Sequence, residues 1–312
     1  MSNKLAIIVP AYNEEKVLNH SIGVLEDILL KLQRQNKIDD QSYLLIIDDG
    51  STDQTWAIIQ KLSKNSLVNV KGIRFSRNFG HQNAIWAGLM QAKEDADLTI
   101  TIDADLQDDP KMIPKMVDQY LAGNQIVYGV RNNRDSDSFF KRESANMFYK
   151  LMNLLGVKII PNHADFRLMT VKAVNLLSQY HERQLFIRGL VPQLGLSTSK
   201  VDYKRQKRIA GESKYTIQKM LDLAWNGITL FSTSLLKVPT ILGGGFLLLG
   251  TVLLLEHVVW KHSISMNLIS LWIIGGAILL SLGIITEYVG KTFNEIKHRP
   301  RYLVAERTDN NE

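Results

Sequence analysis

The chain has 312 residues, 45% hydrophobic and 22% charged, enough for one large domain or two smaller ones. It contains no cysteine, which excludes disulfides, thiolate metal sites and a cysteine nucleophile. The net charge of +6 is unevenly placed: seven Lys/Arg face two acids between Lys200 and Lys219, without the interleaved aromatics of a nucleic-acid surface, so no nucleic-acid partner is expected.

Leu5-Ala-Ile-Ile-Val9 reads as a doubly buried strand, and Pro10-Ala-Tyr12-Asn-Glu14-Glu15 as a loop entering a helix over about 15–35. The apolar run at the Met1 end is only strand-sized and carries no secretory signal, so this domain is expected in the cytosol. Tyr43 to Ile47 is the second strand, ending in Asp48-Asp49-Gly50-Ser51-Thr52-Asp53. There glycine permits a tight turn, and Ser51 or Asp53 caps a helix from about Gln54. Val70 to Phe75, Gly80 to Gln91 and Leu98 to Ile102 continue the alternation as strand, helix and strand. Such alternation predicts an α/β fold with a mostly parallel sheet and ligands at the carboxyl ends of its strands.

The fourth strand ends in Asp103-Ala104-Asp105-Leu106-Gln107-Asp108-Asp109-Pro110. Asp103 and Asp105 are two residues apart, so their carboxylates converge and repel unless a cation lies between them. Hard oxygen ligands suit Mg²⁺ or Mn²⁺, usually shared with substrate phosphates. The competing reading is an acidic turn capping a helix that starts at Pro110. Acidic loops after strands one, two and four share one edge, which a nucleotide explains; helix capping is the alternative for Asp48 and Asp53. Ile126 to Tyr128 is a further strand. Asp165 and Arg167 either position a substrate or form a structural ion pair. His81 is read as packing beside the donor loop, and neither it nor His163 has zinc-site spacing.

The composition then changes. Residues 217–234 have near-helical apolar spacing and read as an interfacial amphipathic helix. Spans at about 238–260 and 268–288 are long enough to cross a bilayer, which needs about 20 apolar residues. They form a two-helix transmembrane hairpin within 235–290, flanked by Lys/Arg on both sides. The positive-inside rule therefore places both termini and the domain at 1–216 on the cytoplasmic side of the inner membrane, with 291–312 as a cytoplasmic tail. Glycines at 243–245, 250, 275–276 and 283 offer close-packing surfaces for a homo-oligomer.

Val9-Pro-Ala-Tyr-Asn-Glu-Glu15, Asp48 to Asp53 and Asp103 to Pro110 together resemble family 2 glycosyltransferases of the GT-A fold. Within that family the likeness is to the polyprenyl-phosphate glycosyltransferases, such as bactoprenol glucosyltransferases and dolichol-phosphate mannose synthase. It extends through Ala164 to Met169, Arg188-Gly-Leu190, Arg205 to Tyr215 and the terminal hairpin. The resemblance implies that Pro10, Tyr12, Glu14 and Asp49 surround the nucleotide base and ribose, with Asp48 and Ala104 close to the donor. It implies that Asp103, Asp105 and Gln107 hold the metal and the donor diphosphate, and that Arg131 borders sugar and acceptor. Arg205 and Lys214 would approach phosphates, while Lys141, Arg142 and Ser144 resemble the region touching the lipid phosphate.

An anionic acceptor needs no strong base but must approach an anionic donor, so cations are required. Arg131, Arg142, Arg205, Arg208 and Lys214 are the candidates; Asp105, Arg131, Arg205 and Lys214 form the expected catalytic set. The expected reaction is inverting transfer of a hexose, glucose from UDP-glucose foremost, to polyprenyl phosphate. UDP-N-acetylglucosamine, UDP-galactose and GDP-mannose stay open as donors. Rival readings are transfer to ceramide or diacylglycerol, which needs a base such as Asp165, and a membrane-anchored nucleotide-sugar-binding regulator. A processive polysaccharide synthase is disfavoured because no Gln-x-x-Arg-Trp occurs.

Overall fold

The computed structural model describes residues 3–132, 163–182, 185–204 and 265–309. The expected cations Lys141, Arg142, Arg205, Arg208 and Lys214, with Ser144, lie outside the described residues, as do 217–234 and the first expected span. The chain divides into two units, one holding residues 1–149, 158–214 and 300–312, the other 150–157 and 215–299.

The first unit is built on an eight-stranded sheet. The amino-terminal part alternates β1 (Leu5–Ala11), α1 (Leu18–Arg34), β2 (Tyr43–Asp48), α2 (Thr55–Asn65), β3 (Asn69–Phe75), α3 (His81–Ala92) and β4 (Leu98–Thr101). There follow α4 (Ile113–Leu121), β5 (Ile126–Arg131), β6 (His163–Thr170), α5 (Val171–Leu177), α6 (Ile187–Leu190), β7 (Thr198–Tyr203) and, near the end of the chain, β8 (Val304–Arg307). The strand order is β7-β5-β6-β4-β1-β2-β3-β8. β1 to β4 are mutually parallel and β7 runs parallel to β5, whereas β6 is antiparallel to β4 and β5 and β8 is antiparallel to β3. The sheet is thus mixed but mostly parallel.

Every residue of β1 and β2 is buried, as their unbroken apolar runs predict for strands covered on both faces. α1 lays Leu18, Ile22, Leu25, Leu29 and Leu32 on the sheet at helical spacing. α3 approaches β1 so closely that a Cβ on Gly88 would lie 2.3 Å from Ile8 Cγ2. Register pairs Ala11 with Asp48 and Asp48 with Arg74, so the carboxyl ends of β1, β2 and β3 lie level.

Two differences from expectation have clear causes. α1 starts at Leu18 rather than near 15 because Glu15 is spent on the loop after β2: its amide donates to Asp53 (3.2 Å) and its carboxylate accepts from the Gln54 amide (3.0 Å). The segment read as a tail is part of the sheet, since Val304–Arg307 pairs with β3 and Thr308 bonds Gly72 in both directions (3.0 and 2.8 Å).

In the second unit, α7 (Ser265–Ile296) contains the second expected span. Among the described residues no helix is long and apolar enough to cross a membrane.

Candidate active site

Four loops meet at the carboxyl edge of β1 to β4. Pro10, near the end of β1, is buried; after β1, Tyr12 is 37% exposed and Asn13 takes a left-handed backbone (φ 54°). The Asn13 amide donates to Ser51 Oγ (2.9 Å) and its Oδ1 accepts from the Thr52 amide (2.9 Å), while the Glu14 amide donates to Thr55 Oγ1 (2.9 Å). These bonds clamp the loop after β1 to the loop after β2.

Asp48 and Asp49 are both buried. Asp49 accepts the amides of Phe79 (2.7 Å) and Gly80 (2.9 Å), tying the loop after β2 to the loop after β3. The two loops interlock at Gly50: its φ is +68°, and a Cβ there would sit 2.3 Å from the Arg77 carbonyl carbon. Asp48 Oδ1 accepts from the Ser51 amide (3.0 Å), while Oδ2 is buried without a hydrogen bond, 3.5 Å from Arg74 Nε. Burial raises the pKa of both aspartates.

The acid turn after β4 is narrow. The Leu106 amide donates to the Asp103 carbonyl (3.1 Å), and Leu106 itself is left-handed (φ 46°) with its side chain in the core. That conformation is unfavourable for leucine, so burial of the side chain holds the turn against its own strain. Ala104 is buried and its carbonyl accepts from Ser21 Oγ on α1 (2.6 Å). The Asp105 carboxylate accepts from the Gln107 amide (3.2 Å). Asp103 remains 38% exposed, and desolvation together with Asp108, Asp165 and Asp105 raises its pKa despite His81.

His81, at the start of α3, bridges this turn to β6: Nε2 lies 3.4 Å from Asp103 and 3.6 Å from Asp165. Burial opposes charge on the imidazole, but Asp103 and Asp165 outweigh it and push its pKa up to about 9. Asp165, 4% exposed, also pairs with Arg167 (2.5 Å) and with Arg188 (2.8 Å), and accepts from Gln82 (3.2 Å). Burial would raise its pKa; Arg188, His81 and Arg167 instead hold it well below the usual carboxylate range. The ion-pair alternative for Asp165 and Arg167 is therefore present, and Arg188, His81 and Gln82 enlarge it.

Arg131 arrives already paired. Its guanidinium contacts buried Asp108 (2.8 Å), which also accepts from Tyr203 Oη on β7 (2.6 Å). The structure thus brings Asp103, Asp105 and Gln107 together in one turn, Pro10 to Glu14 with Asp48 and Asp49 in another cluster, and Arg131 beside Asp108.

Among the described residues no group of three or more His, Cys, Asp or Glu is arranged to hold a metal ion alone. Two carboxylates and an amide side chain in a crowded acidic turn still fit Mg²⁺ or Mn²⁺ of the kind completed by substrate phosphates.

Sequence reasoning set His81 beside the donor loop but passed over Gln82, its neighbour at the start of α3; the rule that ligands gather at strand ends applied there equally. It also missed Ser21, legible as a polar residue inside the apolar stripe of α1, and Tyr203, inside a stretch read only for its charge.

A mostly parallel α/β sheet with acidic loops at its carboxyl edge is GT-A-like. The model for glycosyl transferase family 2 matches residues 6–178, and the chain belongs to that family. It is 43% identical over 306 residues to an uncharacterized glycosyltransferase, YkoT, of Bacillus subtilis (strain 168), covering 96% of this chain and 90% of that one. It is 35% identical to the bactoprenol glucosyl transferase of Shigella phage SfV over 309 residues, 96% of this chain and 98% of that one. The same identity, over 315 residues, relates it to a prophage bactoprenol glucosyl transferase homolog of Escherichia coli (strain K12), with 96% and 98% covered.

Proposed function

We propose that the protein is an inverting polyprenyl-phosphate hexosyltransferase that moves glucose from UDP-glucose to undecaprenyl phosphate at the cytoplasmic face of the inner membrane. The observation that carries the reading is likeness to bactoprenol glucosyl transferases along nearly the whole of both chains, and the acid turn at the end of β4 supports it.

The state of Asp165 favours a phosphate acceptor. A neutral alcohol needs a base, and a carboxylate surrounded by His81, Arg167 and Arg188 is a poor one. A lipid phosphate is already anionic, and its approach needs cations instead. Arg205, Arg208 and Lys214, with Lys141, Arg142 and Ser144, are assigned to it, and Arg131 borders the sugar from its pair with Asp108. Tyr12, Glu14 and the Asp48–Asp49 loop are assigned to the base and ribose. Asp103, Asp105 and Gln107 would hold Mg²⁺ or Mn²⁺, which supplies charge neutralisation on the leaving diphosphate. His81, whose charged form Asp103 and Asp165 favour, stands at the same rim.

Membrane presentation is assigned to the hairpin of 238–260 and 268–288. Exposed Leu271, Ile274, Ile278, Leu282, Ile285 and Val289 on α7 support that assignment. The test is to incubate membranes containing the protein with a panel of nucleotide sugars and undecaprenyl phosphate, then weigh the extracted lipid. The expected product is undecaprenyl phosphate heavier by one hexose, from UDP-glucose only. Asp105→Asn should lower the yield about a hundredfold or more without changing membrane insertion. Full turnover by that variant overturns the assignment.

A further inference from the structure

The strand nearest the end of the chain reaches the back of the donor loops. Glu306 on β8 accepts from Arg74 Nη1 (2.8 Å) through one oxygen and from Trp56 Nε1 (2.8 Å) through the other. Both donors also meet each other, since the Arg74 guanidinium lies 5.9 Å from the Trp56 ring. Arg74 then faces Asp48, whose buried Oδ2 has no hydrogen bond.

From Asp48 the connections continue without a gap: Oδ1 to the Ser51 amide, Ser51 Oγ to the Asn13 amide, Asn13 Oδ1 to the Thr52 amide. Asn13 takes the left-handed backbone that asparagine tolerates and immediately follows Tyr12, so the bonds that hold Asn13 also fix the entry of this loop. Arg74 is a long, one-third exposed side chain with ample rotamer freedom. Glu306 and Trp56 remove that freedom and aim the charge inward.

We propose that Glu306 is a positioning residue for the nucleotide-sugar donor: it holds Arg74 against Asp48 and thereby sets the loops after β1 and β2. The inference rests on the donor reading above. Those loops are assigned to base and ribose, whereas the reacting atoms belong at the turn after β4. Loss of Glu306 therefore weakens donor binding in ground and transition states alike, raising KM with kcat preserved.

A merely structural strand anchor makes a different prediction. Thr308 anchors the same strand through its two hydrogen bonds with Gly72, which involve neither Arg74 nor Asp48. In the full-length protein, Glu306→Ala should raise the KM for UDP-glucose and the Kd for UDP about tenfold, with kcat within about twofold. Arg74→Ala should do the same, and the double variant should be no worse than either alone. Thr308→Ala should lower the thermal midpoint and leave KM unchanged. Glu306→Gln keeps the side-chain shape, removes the charge and should move KM in the same direction, which covers a poorly folding alanine variant. Wild-type KM and Kd in Glu306→Gln, or an equal KM rise in Thr308→Ala, overturns the proposal. A wild-type protein that binds neither UDP nor GDP overturns the donor reading, and this inference with it.

Discussion

Asp165 shows how environment decides what a carboxylate can do. Two guanidinium groups and an imidazole surround it, and Arg167 beside it is 1% exposed. Removing its charge leaves Arg167 buried without an anion. Asp165→Asn should therefore cost about 3–5 kcal/mol, measured by denaturation of the full-length protein. The pH dependence has a definite sign. Because the folded pKa lies below the ordinary 3.8, the contribution of Asp165 is complete above that value and is lost as pH falls through the folded pKa. Wild-type thermal midpoints should thus fall below about pH 4, and the asparagine variant should show a shallower acid limb.

At the scale of elements, the site depends on contacts between neighbours more than on any one loop. Ser21 reaches from α1 to the Ala104 carbonyl, so Ser21→Ala should cost roughly 1–3 kcal/mol and lower kcat/KM by loosening the acid turn. Gly50→Ala should cost roughly 2–3 kcal/mol, because the added methyl meets the Arg77 backbone at an already left-handed residue. Thermal midpoints and donor KM check both. β1, β2 and β4 were legible because fully covered strands leave runs of apolar and β-branched residues, whereas β3 was legible from Val70, Ile73 and Phe75 despite its Lys71 and Arg74. β7 was not: only Val201 and Tyr203 of its six residues are buried, and Lys200 with the basic stretch that follows drew attention to charge instead. The acid turn was legible as a pair of spaced aspartates, whereas the cations on Asp165 come from α3, β6 and α6, far apart in sequence.

At the scale of the molecule, the sheet is closed at one edge by β8, whose Glu306 meets Arg74 from 232 positions away. Nothing local marks Val304–Arg307 as a strand, since all but Arg307 are exposed and its partner lies at the other end of the chain. Tyr302 stacks on Phe75 (4.8 Å) and Arg301 lies over Trp86 (4.3 Å), so the segment is fastened to β3 and to α3. Deleting 304–312 should bare the edge of β3, an unpaired template for other chains. Light scattering should then show association, and donor affinity should fall together with it.

Such an arrangement orders biogenesis. A ribosome releases the first seven strands long before the eighth, so the nascent enzyme carries an unfinished sheet while residues 205–303 are being made. If Glu306 sets the donor loops as proposed, those loops reach their final geometry only once residues 304–308 have been made. Chains cut before residue 304 should then hold the donor less tightly even where the acidic turn itself is intact.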